Sequence, residues 1–185
     1  SITQNMDGEA EHVSFEASFG RRHADSVSNR LDGASLYRLV QRVEADARVS
    51  PEDPESMPPL PPQTYPSVPS RYCAEAAALT PLQKAEDLHQ TVALARGRGL
   101  GAAGLDLAEH GVEGFANSEG LSAFDEHTLV EFSVSMHGPN GSGRSGGTSE
   151  SLARLDVERV AREAMETALA AQNPVELEPG DYTVV

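Results

Sequence analysis

Proline is concentrated in one stretch of this 185-residue sequence, SPEDPESMPPLPPQTYPSVPS at residues 50–70. Eight of the 12 prolines fall between Pro51 and Pro69. Proline fixes φ and has no backbone N–H to give to a helix or a sheet, so we predict an extended connector with polyproline character, the Pro-rich strap. The sequence therefore predicts three parts: the strand-plus-helix end of an N-terminal domain (1–50), a Pro-rich linker (51–78) and a middle domain (79–185).

Charge and hydropathy exclude two classes of partner. The sequence has 14 Lys and Arg against 29 Asp and Glu, a formal net charge of −15. Binding nucleic acid requires basic residues to neutralise phosphates, so we expect no direct nucleic-acid partner. No apolar run approaches the roughly 20 residues that span a bilayer, and no signal-peptide pattern opens the sequence. We therefore expect no membrane partner and a cytoplasmic location.

The first 50 residues carry a strand pattern and then a helix pattern. Apolar side chains alternate with polar ones from Val13 to Phe19, as in a half-buried strand. Asp7-Gly8 predicts a hairpin turn that joins this strand to another at Ile2–Met6. Asp32 is then a predicted N-cap of a helix whose apolar residues recur at helical spacing: Leu36, Leu39, Val40, Val43 and Ala47.

Two further helices are predicted after the strap. Thr80-Pro81-Leu82-Gln83 has the spacing of a capping box, and Gly97 or Gly99 ends the helix that follows. Its predicted inner face is Leu82, Ala85, Leu88, Val92 and Ala95. The second helix is capped by Asp156 and ends before Asn173-Pro174. Its predicted inner face is Val157, Val160, Ala161, Ala164, Ala168 and Leu169.

Between these helices the pattern is that of a sheet. Short apolar runs from Leu100 to Met136 predict three antiparallel strands, with turns near Glu109–Gly111 and Asn117–Gly120. A flexible Gly/Ser-rich loop is predicted over Gly138–Ser151, and a strand cut short over Gly180–Val185. The fold class is therefore α+β: an antiparallel or mixed β-sheet meander with amphipathic helices packed on it, in two parts joined by the Pro-rich strap.

Gly138–Ser145 spells a phosphate-binding loop, G-x-x-x-x-G-K-[ST], with Arg144 in place of the lysine. Such a loop follows a strand that is apolar on both faces and passes directly into a helix. Here the preceding strand is polar at every second residue, and the helical pattern begins only at Asp156. A guanidinium also does not replace a compact ammonium. A nucleotide-binding protein therefore stays a remote alternative.

No residue is assigned a catalytic, cofactor-binding or metal-binding role from its spacing. The six histidines (12, 23, 89, 110, 127 and 137) form no i, i+4 pair on a predicted helix. Asp125-Glu126-His127 offers two carboxylates and an imidazole, but neighbouring residues of a strand point to opposite faces, which favours a solvated strand entry. The one cysteine, Cys73, is predicted to be a small, buried or half-buried apolar residue.

An ordered set of motifs resembles the PmbA/TldD family, once called modulators of DNA gyrase. The set comprises GRGLGAAG (97–104), FANSEGL (115–121), SGGTSESLARLDVERVAREAMETAL (145–169) and NPVELEPGDYTVV (173–185). Its most specific parts are the Asn117-Ser118-x-Gly120 turn, Ser145-Gly146 before an Ala-rich helix, and the Pro-Gly-x-Tyr-x-Val ending. The resemblance covers essentially the whole chain, from the end of the family's first domain through its middle domain.

The resemblance implies a cytoplasmic zinc metallopeptidase system in which related subunits form homo- or heterodimers and cleave peptides or unfolded segments inside a chamber. In catalytic subunits an H-E-x-x-x-H helix follows the segment that matches Tyr182–Val185, and it supplies zinc ligands and a general base. This chain lacks that motif. The resemblance therefore implies a non-catalytic portion that shapes the chamber and the subunit contacts, with zinc held elsewhere in the full-length protein. The alternative is a non-catalytic adaptor that binds peptides or proteins through the strap.

Overall fold

The computed structural model describes residues 4–183, and the chain forms two compact units. One unit contains Met6–Gln63 with Ala116–Leu121, and the other contains Thr64–Phe115 with the chain from Ser122 onwards. The division falls between Gln63 and Thr64, inside the Pro-rich strap. The first unit packs one helix against an antiparallel hairpin and the second packs helices against an antiparallel sheet, so the predicted α+β class is confirmed.

A β-hairpin begins the first unit. Strand β1 (Val13–Phe19) pairs antiparallel with β2 (Arg22–Ser28), with Val13 opposite Ser28 and the turn at Gly20, whose φ is 64°. The predicted β1 is thus present, but its hairpin partner follows it. No strand occurs within residues 4–12, so the predicted turn at Asp7-Gly8 is wrong; residues 2 and 3 of the predicted partner lie outside the described range.

Helix α1 (Gly33–Val49) packs on this hairpin with the face that its apolar spacing predicts. Leu39, Val43 and Ala47 are buried, and the carboxylate of Asp32 caps the helix by accepting from Ser35 N at 3.0 Å. Beyond α1, the strap forms no helix or strand, and every residue from Met57 to Tyr72 is exposed. Within this unit, the Leu60 carbonyl accepts from Asn117 Nδ2 at 2.9 Å.

The second unit begins with a short helix, α2 (Ala74–Ala77), and then α3 (Pro81–Arg96). The predicted capping box is confirmed: Thr80 Oγ1 accepts from Gln83 N, and Gln83 Oε1 accepts from Thr80 N. One predicted inward residue is wrong, because Leu82 is 78% exposed. Leu82 lies in the first turn of α3, whereas the buried residues of the helix are Thr91 and Ala95 nearer its end.

Three strands form the sheet of the second unit, in the order β3 (Gly101–Ala116), β4 (Ser122–His137) and β5 (Ser142–Ser149). The predicted turn near Asn117–Gly120 is present, but the one near Glu109–Gly111 is wrong because β3 runs through it. Gly111 instead allows a close approach, since a Cβ there would lie 2.5 Å from Nε2 of His127. The glycine meets a packing requirement that looks like a turn signal in the sequence.

Helix α4 (Val157–Ala170) completes the core of the second unit. Asp156 caps it, and it ends before Asn173-Pro174, both as predicted. Its buried residues pack with the alternating apolar residues of β4, together with the end of α3; the set is Ala95, Leu100, Phe132, Val134, Met136, Val160, Ala161, Ala164, Met165 and Ala168. The predicted inward face of β4 is therefore confirmed.

Two further outcomes concern the end of the chain and its hydropathy. Residues 180–183 form no strand, and the remaining part of the strand predicted over Gly180–Val185 lies outside the described residues. Across residues 4–183, no helix is both long enough and apolar enough to cross a bilayer.

Candidate functional site

A group of polar side chains ties the end of the strap to the sheet of the second unit. Arg71 Nε lies 2.9 Å from Glu150 Oε1, and its Nη1 lies 3.3 Å from Asp125 Oδ2. The same carboxylate oxygen of Asp125 lies 3.1 Å from Nδ1 of His127. These four residues form the Arg71 clasp. Its ion pairs are about half exposed, so each contributes little stability by itself.

The alternation of β4 sends Glu126 to the opposite face from the clasp. Asp125 and His127 are two residues apart, share one face and contact each other, whereas Glu126 Oε1 lies 2.9 Å from Nε2 of His110. The Tyr72 ring also packs against His110, with 5.3 Å between the ring centroids. Asp125, Glu126 and His127 are therefore divided between two pairs of contacts and do not converge on one reaction centre.

Thr128 joins three segments of the chain beneath the clasp. Its side chain is buried, and its Oγ1 accepts from Cys73 N at 3.0 Å and donates to the Glu150 carbonyl at 2.7 Å. Its backbone N–H donates to the Arg71 carbonyl at 3.1 Å. One hydroxyl thus fixes the entry to α2 and the exit from β5 against β4. The sequence carried no signal for this role.

Cys73 lies at the start of α2 with its thiol half-buried. Hydrogen bonding from the backbone N–H of Ala76, and then from the Ser151 hydroxyl, lowers the pKa of the thiol. Sγ lies 3.8 Å from Ser151 Oγ. Within the described residues no imidazole bonds to this thiol, so the structure provides no cysteine–histidine pair for nucleophilic catalysis.

The glycine-rich segment is a strand, so the predicted flexible loop over Gly138–Ser151 is wrong. Gly138 N donates to the Gly141 carbonyl in a tight turn, and β5 then pairs with β4, placing Gly143 opposite Met136. A Cβ on Gly143 would lie 2.4 Å from both the Ala164 carbonyl oxygen and the Ala168 nitrogen of α4. The glycines allow the strand and the helix to lie in contact.

This pairing removes the geometric basis of the phosphate-loop alternative. A phosphate loop works because several backbone N–H groups converge on an anion at a helix N-terminus. Here Arg144 and Ser145 lie opposite Ser135 and Val134 within the sheet. The next helix, α4, begins only at Val157.

The sheet of the second unit has one face packed against α4 and one open face. On β4 and β5 the open face includes three paired positions: Glu131 with Thr148, Ser133 with Gly146, and Ser135 with Arg144. The β5 members are exposed and the β4 members are half-buried. Small polar groups at the centre of this face leave room for an extended chain to lie close to the sheet.

Asp106 of β3 is a half-buried carboxyl that faces α3. Burial, and after it the neighbouring carboxylate of Asp87, raises its pKa from 3.8 to about 6, while the ammonium of Lys84 opposes the change. The unfolded chain therefore loses this proton at lower pH than the folded chain does. The associated stability is fully present below pH 3.8 and is lost as the pH rises towards 6.

We expect Asp106→Asn to remove the loss of stability that occurs as the pH rises. Near neutral pH the variant should be more stable than the wild type by roughly 1–2 kcal/mol, a value reduced for partial solvent access, and the difference should shrink towards pH 4. Urea unfolding between about pH 4 and 7.5 measures it. Glu109→Gln, at an exposed position of the same strand, is the control. An equal gain from both variants would contradict the assignment to Asp106.

A comparison with protein-family models decides the family. The model described as the PmbA/TldA metallopeptidase central domain matches residues 74–172. The chain belongs to the PmbA/TldD family. The match covers α2 through α4 and leaves the hairpin and the strap outside it. The resemblance found in the sequence motifs is therefore confirmed.

Solved structures of PmbA/TldD proteins share the fold. A protein named as a modulator of a DNA gyrase from Thermotoga maritima aligns with a TM-score of 0.73 at 12% identity, over 89% of this chain and 38% of its own. TldE from Thermococcus kodakarensis gives 0.72 at 17%, over 88% and 42%. A gyrase-modulator protein from Bacteroides thetaiotaomicron gives 0.70 at 18%, over 84% and 38%.

This chain thus spans about two fifths of the length of these relatives. No curated protein sequence matches it significantly. The family is described as a metallopeptidase, but within residues 4–183 no three His, Cys, Asp or Glu side chains are placed to hold one metal ion. The donor set in this part of the chain does not fit a zinc site.

Proposed function

We propose that this chain is the non-catalytic N-terminal and middle portion of a cytoplasmic PmbA/TldD metallopeptidase subunit. In this proposal the open face lines a chamber that admits peptides or unfolded segments, and other surfaces contact a related subunit. Zinc and the general base belong to the rest of the full-length protein. Membership of the metallopeptidase family supports the proposal.

The two-faced sheet is the observation that carries it. On one face Phe132 and Met136 are fully buried under α4, and on the other Ser133, Ser135 and Gly146 present almost no side-chain bulk. An antiparallel sheet with one solvated face is stable without further cover. A face of this kind accepts an extended polypeptide through contacts with the backbone of that polypeptide. Binding then depends little on its side chains.

The test obstructs the open face in the full-length subunit, assembled with zinc and its partner. Thr148→Trp adds an indole at an exposed position of this face, so the fold should persist. We expect peptide cleavage to fall at least tenfold, with kcat/KM measured on a fluorogenic peptide and the thermal midpoint unchanged.

Glu158→Trp is the matched control, because its side chain is 73% exposed on the solvent side of α4. It should leave cleavage within about twofold of wild type. Full activity of the Thr148→Trp variant in a correctly assembled protein would refute the placement of the open face in the chamber.

An adaptor role is the second candidate, and the exposure of the strap favours it. Among the residues that the structure describes, none from Met57 to Ser70 takes part in a backbone-to-backbone hydrogen bond, and Leu60 is 63% exposed. An adaptor would bind unfolded peptide without cleaving it, and alanine at Pro59 and Pro62 would weaken that binding. Peptide binding that is unchanged in the Pro59→Ala/Pro62→Ala double variant, or peptide cleavage by the full-length protein, would count against this role.

A further inference from the structure

A small cleft in the second unit lies where α3 passes into the first residues of β3. Its lining is Val92, Arg96, Leu100, Gly101, Ala102 and His137, and its volume is about 260 Å³. Leu100 is 5% exposed and forms part of the core, so the floor is apolar and fixed. The two polar side chains of the lining are both basic in type.

Neither polar side chain has a partner within the residues that the structure describes. Arg96 is exposed and forms no ion pair, although the chain carries 29 acidic residues against 14 Lys and Arg. The His137 ring makes no hydrogen bond and lies on Gly101, where a Cβ would be 2.3 Å from its Nε2. The absence of a side chain at residue 101 thus lets the imidazole lie against the backbone at the edge of the cleft.

From these observations we propose that the cleft binds a carboxylate attached to a small apolar group. A planar guanidinium presents paired N–H donors that match a carboxylate, and His137 offers a further ring nitrogen beside it. Val92, Leu100 and Ala102 would contact the apolar part. The cleft volume of about 260 Å³ leaves room for a small ligand of this kind.

Two sources supply this chemistry: a free branched-chain carboxylic acid, or the C-terminal carboxylate of a peptide. The proposal does not depend on peptidase activity, because binding is measured on the 185-residue chain itself. The probes are 3-methylbutanoate, N-acetyl-Ala-Leu and N-acetyl-Ala-Leu amide. The readout is the amide chemical shifts of Gly101 and Ala102 in a ¹H–¹⁵N titration.

Both acids are expected to shift these amides with a Kd on the order of 1 mM, as for a ligand of this size, and the peptide amide to bind at least fivefold more weakly. Arg96→Gln should weaken binding of the acids at least fivefold. Arg98→Gln, in the exposed turn after α3 and outside the lining, should change it less than twofold. Peptide acid binding at least fivefold tighter than 3-methylbutanoate identifies a peptide C-terminus; similar affinities identify a free acid.

Arg96 also lies in the last turn of α3, where a cation favours the helix dipole. A purely structural role predicts a lower thermal midpoint for Arg96→Gln and no change in binding. No shift of Gly101 or Ala102 up to about 20 mM acid would overturn the proposal. So would equal binding of the peptide acid and its amide, or undiminished binding by a folded Arg96→Gln variant.

Discussion

Replacing Gly143 by alanine is expected to destabilise the second unit by about 3 kcal/mol. The added Cβ would lie 2.4 Å from the Ala164 carbonyl oxygen and from the Ala168 nitrogen. Both are backbone atoms of α4, so no side-chain rotation relieves the contact. The helix has to move away from β5, and this loosens its packing on Phe132 and Met136 in the core. Overpacking of this kind costs typically 1–3 kcal/mol and sometimes more.

Gly114→Ala is the matched control for this substitution. Gly114 is also a strand glycine, and a Cβ there meets no atom within 4 Å. Its change in unfolding free energy should stay within about 0.5 kcal/mol, because only the unfolded chain is much affected. Urea unfolding followed by circular dichroism measures both variants. Equal losses would show that α4 does not lie on β5 as described.

The same two variants distinguish between two roles for Gly143, in helix–strand packing or in nucleotide binding. A phosphate loop would lose ATP binding when Gly143 is replaced, with little change in unfolding. Close helix–strand packing predicts the reverse: a large loss of stability, and no ATP binding to lose. Isothermal titration of the wild-type chain with ATP completes the comparison.

The elements predicted correctly are those whose inner face is mainly apolar. Val130, Phe132, Val134 and Met136 alternate without interruption, so the period of β4 was readable. Strand β2 was missed because its half-buried positions include Arg22, Ser26 and Ser28. Strand β5 was missed because its inward residues are glycine and serine, whose small size matters only once α4 lies on them.

The turn at Asn117–Gly120 was predictable because its hydrogen bonds are local, whereas contacts between distant residues were not. Asn117 forms its turn with its own neighbours, since Oδ1 accepts from Glu119 N and Leu121 N. The Arg71 clasp joins residues 54 and 79 positions apart in the sequence, and their spacing contains no period that could indicate it. The cleft at Arg96 likewise forms only because His137, at the end of β4, lies beside Gly101, at the start of β3.

Thr128→Val is expected to cost about 2 kcal/mol, although valine nearly matches threonine in shape. The hydroxyl accepts from Cys73 N and donates to the Glu150 carbonyl in a place where Thr128 is 1% exposed. Valine leaves both backbone groups without that partner, and each unsatisfied buried group costs about 1–3 kcal/mol. Cys73 and Glu150 are more exposed to water than Thr128, so water can partly replace the lost hydroxyl. The expected loss of unfolding free energy therefore lies near the lower end of the range for two such groups.

Hydrogen exchange locates this loss, and Thr128→Ser controls for the size of the side chain. Serine keeps the hydroxyl and loses one methyl group, worth about 0.8 kcal/mol, so the Cys73 amide should stay protected. Valine keeps the methyl group and should expose that amide to exchange before global unfolding. The two substitutions thus remove different halves of one side chain. If Cys73 exchanged equally slowly in both variants, the backbone bond from Thr128 N to the Arg71 carbonyl would be enough to hold the segment, and the hydroxyl would not be the group that fixes it.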